Sequence, residues 1–247
     1  MIKKISRRNL IKYSTIASVG LATGVLSSTG CNNEKNILDK NMKVLLLNGS
    51  PREKGCTFTA LSEVASVIEN NKISTEIYWL GKEPIAGCRA CGICRKDGKC
   101  VIADNVNSFV ETASLYDGFI FGSPVHFASA TGMITTFLDR VFYSGRSVFS
   151  GKPGAAIVSC RRAGSTATLD QLNKYFPISN MPQVPSQYWC MVHGNTPDEV
   201  KQDIEGLQIM RTLGTNMVWL LKCIEAGKKA GIGLPQYEPR QGTNFIR

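Results

Sequence analysis

Between residues 43 and 193, short apolar runs alternate with stretches in which apolar residues recur every third or fourth position. Lys43-Val44-Leu45-Leu46-Leu47-Asn48 is a continuous run that stops at Gly49, the pattern of a strand buried on both faces. Thr57 to Glu69 then sets Leu61, Val64, Ala65 and Ile68 at helical spacing. Ile73 to Leu80 alternates and is rich in β-formers, which predicts a second strand. Val106 to Leu115 reads as helix, Gly118 to Gly122 as a third strand, and Met133 to Phe142 as a helix with Ile134, Phe137, Leu138 and Val141 on one stripe. Ala155 to Ser159 is a fourth strand. Thr168 to Phe176 is a helix stopped by Pro177, and Tyr188 to His193 is a fifth strand. Pro197 opens one last helix, which carries Ile204, Leu207, Met210, Leu213, Met217, Leu220 and Leu221. Strands alternating with helices predict an α/β fold: a doubly wound five-stranded parallel sheet in a single domain over residues 42–227, followed by a C-terminal extension, 228–247.

The chain before this body reads differently. Lys3, Lys4, Arg7, Arg8 and Lys12 precede a small apolar stretch from Tyr13 to Leu26, which has the length of a signal segment and is short for a membrane span. Ser6-Arg7-Arg8-Asn9-Leu10-Ile11-Lys12 resembles the twin-arginine export signal. Ser28-Thr29-Gly30-Cys31 resembles a lipidation box, with Ser28 where leucine is usual, so either a lipid anchor at Cys31 or plain cleavage near Gly30 fits. Residues 1–30 are therefore expected to be an export signal and 31–41 a linker. The mature protein is expected to be periplasmic or otherwise extracytoplasmic, free or held as a lipoprotein. Twin-arginine export moves folded proteins, which points to a cofactor inserted beforehand. Five of the ten excess positive charges sit in this leader. The remaining basic excess is mild and no nucleic-acid motif accompanies it, so a nucleic-acid partner is not expected.

Ligands on such sheets bind at the carboxyl ends of the strands. The loop after the first strand, Asn48-Gly49-Ser50-Pro51-Arg52-Glu53-Lys54-Gly55-Cys56-Thr57, combines small residues, two hydroxyls and a guanidinium at a helix N-terminus. That suits a phosphate. It lacks both the Gly-Lys-Ser/Thr ending of a P-loop and the G-x-G-x-x-G of dinucleotide sites, so a monophosphate is the better fit, with a plain capped turn as the alternative.

Four of the nine cysteines fall together as Cys88-x2-Cys91-x2-Cys94-x5-Cys100, inside a segment, 86–102, that interrupts the strand–helix alternation. Thiolates this close can converge on one iron–sulfur centre, as in bacterial ferredoxin ligation. Zinc, disulfides and free thiols are the alternatives. Cys56, Cys160, Cys190 and Cys223 read as small buried hydrophobes, and Trp79, Trp189 and Trp219 as packing residues.

The motifs taken in order carry a family resemblance. Gly49-Ser50-Pro51-Arg52 with Gly55 and Thr57 resembles the flavin-phosphate loop of the NADPH-dependent FMN reductase and flavodoxin-like families. Gly122-Ser123-Pro124-Val125-His126-Phe127 resembles their second flavin loop, and Phe137-Leu138-Asp139-Arg140 the helix motif that follows. Cys56 and His126 stand where the family often has asparagine and tyrosine. The resemblance implies that FMN is held by Ser50, Pro51, Arg52, Gly55, Cys56 and Thr57 at the phosphate. It implies that Ser123, Pro124, Val125, His126 and Phe127 flank the ring, and that the loop Ser159-Cys160-Arg161-Arg162-Ala163-Gly164-Ser165, with Arg161, Arg162 and Gly164 as its candidate contacts, lies beside the pyrimidine end. Asp139 and Arg140 are expected to form a structural pair. With the cysteine run added, the chain is similar to iron–sulfur flavoproteins. Those carry one FMN and one [4Fe-4S] cluster per subunit, assemble as homo-oligomers and place the cluster near a neighbouring subunit's flavin. Cys88, Cys91, Cys94 and Cys100 would then be the cluster ligands. The implied function is an FMN-dependent oxidoreductase exchanging electrons with a small-molecule or protein donor and acceptor, NAD(P)H or ferredoxin among the donors. The alternatives are a cluster-free NAD(P)H-dependent FMN or quinone reductase, and a non-catalytic electron carrier or metal-binding lipoprotein.

Overall fold

A computed structural model describes residues 41–239, 241–243 and 245. The export signal, most of the linker and Cys31 lie outside the described residues. Among those described, no helix is long and apolar enough to cross a membrane.

The elements run β1 (Lys43–Asn48), α1 (Cys56–Asn70), β2 (Ser74–Trp79), α2 (Ile93–Asp97), α3 (Asn105–Ala113), β3 (Gly118–His126), β4 (Ser129–Ala130), α4 (Gly132–Phe149), β5 (Gly154–Cys160), α5 (Ser165–Asn173), a 3-10 turn (Pro177–Ser179), β6 (Met191–His193), α6 (Pro197–Gln202) and α7 (Ile204–Lys229). Five strands pair in parallel in the order β2-β1-β3-β5-β6, and β4 adds antiparallel to the end of β3. The expected five-stranded doubly wound sheet is therefore the observed one. The chain leaves β1 toward β2 on one side and β3 on the other, and that reversal opens a crevice at the strands' carboxyl ends.

The sheet's two faces can be read off β3. Ideal Cβ atoms on Gly118 and Gly122 would meet Met217 of α7 and Thr57 of α1, so even positions face that helix pair. Phe119 and Phe121 point the other way and make edge contacts with Phe149 and Phe142 of α4. Both faces are covered, which is why β1 and β5 are apolar throughout instead of alternating. Met210 and Met217 are fully buried, as their spacing implied.

Several boundaries differ from expectation. The fifth strand is only Met191–His193; Tyr188 and Trp189 stack edge-on outside the sheet and are exposed. The last helix is two helices. Asp203 leaves the helical region (φ −76°, ψ 81°), and its carboxylate accepts from the N–H of Gly206, capping α7, and from the N–H of His193. A polar residue that can serve two backbone donors breaks the helix where the apolar stripe alone would continue it. Residues 123–126, expected to be loop, prolong β3 into a hairpin with β4. Its tip, Phe127 and Ala128, lies at positive φ, a turn that carries no Asn-Gly or Asp-Gly signal. Helix α4 extends to Phe149 across a non-helical Gly145, α5 starts at Ser165 and ends at Asn173, and the cysteine segment contains the short helix α2.

Gly214 marks the closest approach of α7 to α1: a Cβ there would sit 2.9 Å from Val67 Cβ and 3.1 Å from the Val64 carbonyl. Gly214→Val is expected to overpack this seam and lower unfolding stability by about 1–3 kcal/mol, read from urea titration.

Candidate functional site

The loop after β1 is shaped by one buried amide. Asn48 closes the strand, and its Oδ1 accepts from the Ser50 N–H (3.1 Å) while its Nδ2 donates to the Glu53 carbonyl (2.8 Å). Ser50 Oγ accepts from the Arg52 N–H at 3.1 Å, which leaves the hydroxyl proton free to donate. Trp79 Nε1 donates to the Ser50 carbonyl at 2.8 Å, so this tryptophan is an anchor of the loop as well as a packing residue. Gly49 is pinched between layers. Its N–H donates to Gly122 O and its carbonyl accepts from Thr131 Oγ1, both at 2.9 Å, and a Cβ would fall 2.6 Å from Ile134 Cδ1. Helix α1 then begins at Gly55, where no side chain caps its first turn. Uncapped N–H groups at a helix start are donors for an anion.

A cavity of about 310 Å³ lies over this turn, lined by Ser50, Pro51, Arg52, Cys56, Thr57, Pro124, Val125, His126 and Arg161 among the expected residues. Ser159 and Cys160, which open the loop expected beside the pyrimidine end, also line it, as do Gly194 and Asn195, which were not expected. Gly194 could have been found from its position, a glycine just past an apolar run; a Cβ there would stand 2.7 Å from the Val200 amide nitrogen. The hydroxyls of Ser159 and Thr57 bond at 2.8 Å across the crevice. The cavity's two cations are Arg52 and Arg161, with no carboxylate in its lining.

The other expected flavin residues sit around the cavity and do not line it. Gly55 is the N-cap of α1. Ser123 is fully buried at the base of the hairpin, where its Oγ accepts from Thr131 N–H (3.0 Å) and donates to Pro124 O (2.9 Å). Phe127 is fully exposed at the hairpin tip. Arg162 is exposed, and Gly164, at φ 86°, lets the tip pack against α5, since a Cβ would meet Ala128 Cα at 2.6 Å. Two of the buried-hydrophobe cysteines are elsewhere than expected: Cys223 is exposed on α7, and Cys56 is half-buried with its Sγ toward Gly194 O at 3.7 Å. Trp189 and Trp219 are exposed, and Trp189 meets only the ring of Tyr188 edge-on among the described aromatic pairs.

A second cavity, about 330 Å³, is bordered by all four clustered cysteines, Cys88, Cys91, Cys94 and Cys100, with Arg89, Arg95 and Arg140. The four are free thiols. Left-handed backbone at Ala90, Gly92 and Gly98 turns the segment back on itself around α2. Cys100 is clamped: its N–H and carbonyl bond the side-chain amide of Asn107 at 2.9 and 2.8 Å. Among the described residues no three His, Cys, Asp or Glu side chains converge closely enough to hold a metal ion. Asp139 and Arg140 do not pair with each other as expected. Successive helix positions face different ways, so Asp139 accepts from Tyr175 OH (2.6 Å) while Arg140 turns inward to Asp104 and Cys100.

Comparison with known proteins agrees with this geometry. The family described as NADPH-dependent FMN reductase matches residues 42–196. An iron-sulfur flavoprotein of Methanocaldococcus jannaschii is 29% identical over 194 residues, which is 74% of this chain and 100% of that protein. An iron-sulfur flavoprotein of Methanosarcina thermophila is 25% identical over 191 residues, 76% of this chain and 99% of the relative. Among solved structures, RosB with a bound formylriboflavin phosphate intermediate superposes with a TM-score of 0.58 at 14% identity, over 83% of this chain and 94% of that one, a likeness of fold.

Burial raises the thiol pKa of Cys56 and of Cys160, Arg52 opposing it at Cys56 and Ser165 at Cys160; burial pushes Cys190 up to about 12. A raised pKa leaves less thiolate at a given pH, so iodoacetamide at pH 8 on the metal-free protein is expected to label exposed Cys88, Cys91 and Cys223 well before Cys56 and Cys160, with Cys190 slowest, as read by peptide mass spectrometry.

Proposed function

Because the chain belongs to the NADPH-dependent FMN reductase family, and is thereby an FMN-dependent oxidoreductase, we propose that it is an iron–sulfur flavoprotein that passes electrons between FMN and a [4Fe-4S] centre held by Cys88, Cys91, Cys94 and Cys100. The observation that carries the flavin half is the 310 Å³ cavity over an uncapped helix start, a volume at the lower end of ordinary ligand sites, about 300–1,000 Å³. The first turn of α1, the free hydroxyl proton of Ser50 and the Arg52 guanidinium converge where a phosphate would lie. Pro124, Val125 and His126 form the wall for the ring, and Arg161 stands where negative charge on its pyrimidine end would be stabilised. Bound FMN would supply two-electron and one-electron chemistry, and the cluster one-electron exchange, while the protein sets position and potential.

The spacing favours a cluster over zinc: Cys88, Cys91 and Cys94 at intervals of three with Cys100 close behind follow ferredoxin-type ligation, structural zinc more often uses two separated pairs, and the curated relatives are named iron-sulfur flavoproteins. An open groove of about 840 Å³ shares Cys94, Arg95 and Tyr143 with this cavity and gives an electron partner access to it. NAD(P)H, if it is the donor, would stack on the flavin at the hairpin rim, beside exposed His126 and Phe127; a reduced ferredoxin would dock at the groove. Assembly as a dimer or tetramer, twin-arginine export and a lipid at Cys31 belong to the same proposal. The leader's motif and the family's oligomers support them.

Anaerobically purified protein is expected to show flavin absorption with a broad shoulder, acid-releasable FMN and roughly four iron and four sulfide per chain. Cys91→Ser is expected to lose the iron and keep FMN. Arg52→Ala is expected to weaken FMN binding by about tenfold or more, the scale of one charge-assisted hydrogen bond. A protein with flavin but neither iron nor sulfide would instead be a cluster-free reductase.

A further inference from the structure

Arg140 is the largest side chain in the interior, 1% exposed, in the middle of α4. Burying a guanidinium is unfavourable unless every donor is met. Here they are. Nη1 and Nη2 form a two-point contact with Asp104, Nη1 also donates to Ala86 O (3.2 Å) and Nη2 to Ile102 O (3.3 Å). Nε and Nη2 both donate to Cys100 Sγ at 3.3 Å. Neutralising Asp104 needs only the first of these contacts. The rest fall on a pattern: Ala86 and Ile102 bracket all four clustered cysteines, one just before Cys88 and one just after Cys100. Among the described residues, no side chain donates to the sulfur of Cys88, Cys91 or Cys94.

We propose that Arg140 is the positioning residue of the cysteine site: it ties the two ends of the segment to α4, fixes Cys100 as the corner nearest the core, and raises the reduction potential of the centre bound there. The inference rests on the iron–sulfur reading above and goes beyond it by making one of the four ligands electronically distinct. Hydrogen bonds to a ligand sulfur draw electron density from it, and a fixed cation favours the state with one more negative charge. Both effects ease the one-electron reduction of the centre by an external reductant. A lysine could keep the charge but not the planar fork that reaches Cys100, Asp104 and two carbonyls together.

The test uses the whole chain, loaded anaerobically with iron and sulfide, as Arg140→Lys and as the double variant Arg140→Gln with Asp104→Asn. The double variant removes the buried guanidinium and its more exposed carboxylate partner at once, so Asp104 is not left without its counter-charge. Dye-coupled potentiometry with dithionite is expected to show a more negative potential for Arg140→Lys and altered resonance of its reduced centre. The double variant is expected to lose iron to a chelator about ten times faster or more. FMN content should stay unchanged in both, because Arg140 does not line the flavin cavity. A parent that binds iron, with variants that match it in potential and iron release, would overturn this role and leave the iron–sulfur reading intact. A parent that binds no iron overturns both.

Discussion

The structure depends on how the chain turns at the end of β1. Asn48 spends its whole side chain on that turn, accepting from Ser50 and donating to Glu53, while Gly49 is gripped from β3 by Gly122 and from α4 by Thr131. No other residue fits at 49, because the nearest atoms of Ile134 already occupy the place of a Cβ. With the turn closed, the uncapped first turn of α1 and the Ser50 hydroxyl are presented above the crevice between β1 and β3. Trp79, at the matching end of β2, holds the turn from the outside. An anion site built from peptide groups needs this rigidity, since its donors must be aimed before the ligand arrives.

Helix α4 is the member shared by the two cavities. Its N-cap, Thr131, closes the turn at Gly49, and nine residues later, about 14 Å along the axis, Arg140 meets Cys100. Phe137 and Val141 bury the helix against the core, and the aromatic chain from Phe119 through Phe149 and Phe142 to Tyr175 packs along it. The two cavities are therefore set by one helix, even though the sequence places them on separate loops. A loop of exposed residues such as 86–102 has little core of its own. Its shape comes from backbone turns at Ala90, Gly92 and Gly98 and from what α4 and Asn107 hold.

The sheet was legible in the sequence because strands covered on both faces are written as unbroken apolar runs, as in Val44 to Leu47 and Ala155 to Val158. The cavity-lining turn after β1 was legible because its small residues and its guanidinium follow directly on such a run. What escaped was long-range and polar. The break at Asp203 is made by a carboxylate serving His193 and Gly206, a bond that no periodicity reports. The hairpin at 123–130 has only two residues in its return strand, and its tip adopts positive φ without glycine. Arg140 beside Asp139 suggested a local pair, whereas adjacent helix positions point apart and each finds a partner at least 36 residues away in sequence. Gly194 and Asn195 reach the cavity only because β6 ends in register with β5, which in turn ends in register with β3.

The central claim is that a cradle of backbone donors grips a phosphate and so seats the flavin. Its most direct measurement is a calorimetric titration of the flavin-free protein with FMN and, separately, with riboflavin, which differs only in lacking the phosphate. With several charge-assisted hydrogen bonds of about 1.5–3 kcal/mol each at stake, FMN should bind at least a hundredfold more tightly, and added inorganic phosphate should compete with it. Equal affinity for the two ligands would contradict the account, because the ring alone would then be what the protein holds.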